Sequence, residues 1–98
     1  MEKWTPHYHL SVVKSVIRAG RVRLTKAALN GGKALGFNYV EIVDVVMALV
    51  MEDFYKSMTT KTDHKVWQDV YRPITRAGVV YLKLTVVDDV LVVSFKEL

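Results

Sequence analysis

The sequence predicts an α+β fold in which an antiparallel β-sheet, with three strands from the C-terminal third, packs against two to three N-terminal α-helices. Two observations carry it. From Val66 to Leu98 the residues alternate between an aliphatic and a polar set, the period of half-buried strands. Upstream, apolar residues recur at helical spacing behind Thr and Asn caps.

The first helix is expected to open at Thr5 as cap and Pro6 as first residue, to carry Leu10, Val13, Val16 and Ile17 on one stripe, and to stop at Gly20. Val22 to Leu24 reads as a short extended link. Thr25 then caps a second helix with Ala28, Leu29 and Leu35 on one face. Gly31 and Gly32 lie inside it and, at ~1 kcal/mol each relative to alanine, predict a weak or broken helix. The third helix is expected from Tyr39 to Met51, with Asn38 and Glu41 forming a capping box and Phe37 packing on Ile42. Ile42, Val46, Leu49 and Val50 would face the core, and Glu41, Asp44 and Glu52 the solvent. The periodicity then stops, and EDFYKSMTTKTDH reads as a loop beside the sheet.

In the sheet, Asp88 and Asp89 are placed to form a two-residue hairpin turn. Val87 then faces Val90, Tyr81 faces Lys96, and Lys83 faces Ser94. Leu82, Leu84 and Val86 would line up with Phe95, Val93 and Leu91 as the apolar side. Tyr81, Lys83, Thr85, Ser94 and Lys96 would form the other side, a hydroxyl and ammonium surface suited to phosphate. Gln68 joins that surface only if its strand pairs odd-numbered residues with even-numbered ones, because a slip of one residue sends it to the core.

Ninety-eight residues, 51% of them hydrophobic, suffice for a core and suggest one domain over 1–98. The chain has no cysteine, which excludes disulfides and thiolate metal sites and suits a reducing, cytoplasmic setting. No run approaches the ~20 apolar residues of a membrane helix, and no signal-peptide core opens the chain. The net charge of +4 is unevenly spread: residues 1–36 hold seven Lys or Arg against Glu2, and residues 37–55 hold four acids and no base. A polyanion would be drawn to the basic ends. Three short helices in a basic chain also raise a DNA-reading helix-turn-helix. Its recognition helix would need Arg, Asn or Gln where the third helix has acids.

Lys56 sits beside Phe54 and Tyr55, next to hydroxyls that can touch a nucleic-acid backbone, although a lone loop lysine is ordinarily just solvated. Gln68 lies between Trp67 and Asp69, and Trp67 and Tyr71 read as core or edge packing rather than base-stacking platforms. Arg72 precedes Pro73, where the strand must end or lie at an edge, and its plain reading is a surface ion pair with an acid such as Asp69. His7 and His9 are not read as metal ligands, since i and i+2 diverge on a helix and no third ligand is near. His64, beside Asp63, is the loop group whose ordinary pKa of ~6.5 suits proton transfer. No nucleophile elbow or phosphate-binding glycine loop is present.

FYKSMTT at 54–60, DHKVWQDVYRP at 63–73 and VYLKLTVVDDVLVVSFKE at 80–97 resemble the MqsR toxin family, the motility quorum-sensing regulator mRNA endoribonucleases, as do the opening MEKWTPH and the length. The resemblance implies a RelE-like α+β toxin that cuts single-stranded mRNA at GC-containing triplets without the ribosome, a metal or another cofactor. It also implies an antitoxin partner with a zinc-binding N-terminal domain and a helix-turn-helix DNA-binding domain, so that operator DNA is met only through that partner. The implied catalytic residues fall on Lys56, Gln68 and Tyr81, with Lys96 beside them as an RNA contact. Arg72 and His64 join Lys96 as expected RNA-binding residues, His64 also as candidate general base. The alternative is a non-catalytic RNA- or protein-binding module using the same sheet face.

Overall fold

The computed structural model describes residues 1–98. The chain runs β1 (Glu2–Lys3), α1 (Leu10–Arg18), β2 (Val22–Leu24), α2 (Lys26–Ala34), α3 (Tyr39–Met47), β3 (Phe54–Thr59), β4 (Trp67–Tyr71), β5 (Ile74–Thr75), β6 (Gly78–Val87) and β7 (Asp89–Glu97). The sheet order is β1-β3-β4-β6-β7-β2, with β5 paired to β6, and every pairing is antiparallel except β2 with β7. The expected α+β architecture is present with a larger sheet: the 52–64 stretch supplies β3, and Val22–Leu24 is an edge strand rather than a link. No helix is long and apolar enough to cross a membrane.

The helices cover one face only. Val13, Ile17, Ala28, Ile42 and Val46 from the helices meet Tyr71, Val80, Leu82, Leu84, Val90, Val92 and Phe95 from the sheet in one buried cluster. The hairpin register is as expected from Tyr81–Lys96 to Lys83–Ser94, but nearer the turn it shifts: Leu84 pairs with Val92 and Val87 with Asp89. Val93 is the extra residue. Thr25 accounts for it, since its hydroxyl donates to the Val93 carbonyl at 2.8 Å while its amide donates to that of Val92 at 3.0 Å. Asp89 joins β7 because Arg21 and Arg23 each hold its carboxylate at 3.2 Å, leaving Asp88 to turn the chain alone at φ 65°. Val90 and Val92, not Leu91 and Val93, therefore fill the core.

The helix ends also depart from expectation. α1 starts at Leu10 rather than at Pro6, because the buried Asp69 carboxylate accepts the amide N–H of His7 at 3.1 Å and of Tyr8 at 2.9 Å, straightening the segment against the sheet. Gly20, at φ 80°, stops α1 as expected. α2 is unbroken. A Cβ on Gly31 would collide with the Phe95 carbonyl oxygen and one on Gly32 with the Ile42 side chain, so both glycines are there for close approach to β7 and α3. The capping box of Asn38 and Glu41 forms with both bonds at 2.9 Å, but α3 ends at Met47 and a 3₁₀ turn, Met51–Asp53, follows. Val50, expected in the core, is 48% exposed.

Candidate nucleic-acid interface on the open sheet face

β4 pairs with β6 through Asp69–Leu84, Val70–Lys83 and Tyr71–Leu82, so odd and even residues face each other and Gln68 shares the parity of Val70. One row of paired residues then crosses the face that no helix covers: Lys56 on β3, Val70 on β4, Lys83 on β6 and Ser94 on β7. Gln68 and Tyr81 lie in the rows on either side, each ~7 Å from it along its strand, and Tyr81 pairs with Lys96. Val70 is fully buried yet outside the helix-side core cluster, which makes it the apolar floor between the Lys56 and Lys83 stems.

Lys56, expected in a loop, therefore stands on a strand. Between Phe54–Tyr71 and Lys56–Val70 the ladder shifts, leaving Tyr55 as an extra residue next to Lys56. The Lys56 ammonium donates to Glu2 Oε2 at 2.6 Å and lies 5.3 Å from the centre of the Tyr55 ring. The Glu2 hydrogen bond is the main cause that holds its pKa above the ordinary lysine value, with the Glu2 charge and the Tyr55 and Tyr81 phenols adding to it. Lys83 moves the other way: burial, and then the neighbouring Lys96 charge, push its pKa below the ordinary value. The Lys96 ammonium lies 5.3 Å from the centre of the Tyr81 ring.

Arg72 does not pair with Asp69, whose carboxylate is buried and also accepts the Ser57 hydroxyl at 2.6 Å. Its guanidinium instead stacks over Tyr55, 3.9 Å from the ring centre. His64 is exposed in the β3–β4 connection, beyond the Thr60–Val66 backbone bond and ~13 Å or more along the strand from Lys56. That position takes it out of the amine and phenol group. Thr85 is withdrawn from the surface as well, its hydroxyl donating to the Trp67 carbonyl at 2.8 Å and lying 3.1 Å from that of Tyr8. Trp67 is packed beneath a stacked His7 ring at 5.4 Å and the Lys3 ammonium, and Tyr71 is in the core, where burial pushes its phenol pKa up.

The open face thus brings together Lys56, Tyr81, Lys83 and Lys96, with Gln68 and Arg72 at its borders. Sequence reasoning missed Glu2, Tyr55 and the special place of Lys83; only Lys83 had left a signal, its parity with Tyr81.

A family model described as motility quorum-sensing regulator, toxin of MqsA, matches residues 5–97. The chain belongs to the MqsR toxin family. It is 55% identical, over 97 residues spanning 99% of each chain, to the mRNA interferase toxin MqsR of Escherichia coli (strain K12). In this MqsR-family chain the three motifs quoted from sequence fall on β3, on the approach to and length of β4, and on the β6–β7 hairpin, the four central strands of the sheet.

Proposed function

We propose that this MqsR-family toxin is an endoribonuclease that binds single-stranded mRNA across the open sheet face and cleaves it by transphosphorylation. The observation that carries the reading is the register that sets Lys56, Lys83, Tyr81 and Lys96 on one helix-free face, where the Glu2 hydrogen bond favours the charged form of Lys56 and burial disfavours that of Lys83.

In this mechanism Lys56 and Lys96 hold the phosphate oxygens and offset the charge that builds on the phosphorane. Lys83, in its neutral form, takes the proton of the ribose 2′-OH. The 2′-oxygen attacks the adjacent phosphorus, the bond from phosphorus to the 5′-oxygen breaks, and Tyr81 donates a proton to that leaving oxygen. The products are a 2′,3′-cyclic phosphate and a 5′-OH. Gln68 does not titrate and orients the RNA. DNA, which lacks the nucleophile, is not cut.

The finer expectations belong to the same reading: cleavage at GC-containing triplets without the ribosome or a metal, and restraint by an antitoxin whose zinc-stabilised N-terminal domain binds the toxin. Incubating the purified chain with a GC-containing RNA in EDTA tests it. Cyclic-phosphate ends are expected, and Tyr81→Phe or Lys56→Ala should lower kcat/KM roughly 10²- to 10⁴-fold with the fold intact. RNA that is shifted in a gel but never cut would replace the nuclease with the binding-module alternative.

A further inference from the structure

The β1 pairing continues the row of the open face outward. Glu2 pairs with Met58 and Lys3 with Ser57, and Trp4 follows at a bend just past the last pair, where its ring reaches Tyr55, the neighbour of Lys56. Trp4 is 66% exposed, among the most exposed large apolar side chains of the molecule, and its ring meets Tyr55 edge-on at 5.9 Å. Tyr55 is the extra residue of the bulge, and Arg72 lies across its ring. The core makes no use of these rings. Trp4 and Tyr55 lie outside the buried cluster and its partly buried fringe.

We propose that Trp4, with Tyr55 and Arg72 behind it, forms a stacking subsite for an unpaired nucleobase next to the phosphate held at Lys56. Single-stranded RNA is recognised where splayed bases stack on aromatic rings or guanidinium planes while cations track the backbone. Here both lie within one stretch of surface: an exposed indole, a phenol ring, a guanidinium, and an ammonium 5.3 Å from that phenol ring. The arrangement favours a nucleobase over a peptide because every large group in it presents a flat π surface or a cation, and a backbone phosphate reaching Lys56 would take the place of the half-exposed Glu2 carboxylate. A base stacked on Trp4 would fix the position of its neighbouring phosphate along the row, so the subsite serves binding and register. The inference rests on the nuclease reading above and adds the place where a base is held.

The test uses the full chain and a GC-containing oligoribonucleotide with 2′-O-methyl riboses, which binds but cannot supply the nucleophile. Titration should quench tryptophan fluorescence in the native chain and not in Trp4→Phe, even though Trp67 remains. Trp4→Ala should weaken binding by about 5- to 100-fold, the worth of one stacked base, with Trp4→Phe recovering most of it. With cleavable RNA the loss should appear mainly in KM. If the native chain cuts RNA and Trp4→Ala binds and cuts it equally well, the subsite is wrong and the nuclease reading stands. If the native chain neither binds nor cuts RNA, both fall.

Discussion

Lys56 and Lys83 carry the same ammonium on the same sheet face, and their surroundings push them apart. Glu2 favours the charged form of Lys56, whereas burial and Lys96 oppose the charge on Lys83. Because the pKa of Lys83 is lower in the folded chain than in the unfolded one, the unfolded state binds more protons between those two values. Stability therefore rises with pH across that window, and wherever Lys83 carries its charge in the folded chain that charge works against the fold. Replacing it with an apolar side chain of similar length should separate stability from function. Lys83→Met is expected to raise Tm slightly at pH 7 while cutting kcat about 10²- to 10⁴-fold. It should also remove the acid limb, the rise in kcat with pH toward the lowered pKa. Thermal melts and a pH-rate profile check this, and a variant with full activity would remove Lys83 as the proton acceptor. The importance of Lys83 was only half legible in the sequence. Alternation placed it with Tyr81, but its tuning comes first from burial in the folded sheet and then from Lys96 on another strand, neither of which a local window contains.

Between elements, the sequence is least readable where a residue acts on a distant segment. Thr5 and Pro6 read as a helix start, yet Asp69, more than sixty positions away, takes the backbone N–H groups that the helix would have turned inward. Gly31 and Gly32 read as weaknesses because propensity sees only the helix they sit in. Phe54–Thr59 read as a loop because its inward-facing residues Ser57 and Thr59 are polar, buried through bonds to Asp69 and to the N-terminal amine rather than through apolar packing, so the strand shows no apolar stripe. Local signals fared better. The Asn38–Glu41 box, the Thr25 cap and the Gly20 stop all form, each depending on residues no more than four apart. Asp69 and Gly31 give element-scale predictions. Asp69→Ala leaves three donors without their acceptor and should cost about 3 kcal/mol or more, releasing the N-terminal segment that carries Glu2 and Trp4. Chemical denaturation measures the loss, and a change below about 1 kcal/mol would mean that the segment is held elsewhere. Gly31→Ala, which by propensity should stabilise a helix by ~1 kcal/mol, should instead destabilise by roughly 1–3 kcal/mol. Its Cβ has nowhere to go but into the Phe95 carbonyl, beside Lys96. Tm should fall by several degrees, and a gain in Tm would show that α2 can lift from β7 without cost.

Across the molecule, the charge division seen in the sequence is sharpened by the fold. The acids of residues 37–55 lie on α3 and the turn after it, on the helix side, while Lys56, Lys83, Lys96 and Arg72 gather at the opposite sheet face. Basic residues of the N-terminal third are partly occupied: Arg21 and Arg23 both hold Asp89 at the far edge. A single strand neutralised by Z cations loses affinity with salt at a logarithmic slope of about −0.7Z. If RNA runs across the open face and meets all four of its cations, the slope should be about −3. Lys96→Gln should bring it to about −2, while Arg23→Gln, on the β2 edge away from this group, should leave it unchanged. Fluorescence-anisotropy titrations of the 2′-O-methyl oligonucleotide at several salt concentrations read both values. A slope that responds to Arg23 and not to Lys96 would put the RNA on the β2 edge, away from the amine and phenol group, and the cleavage mechanism would then have no substrate within reach.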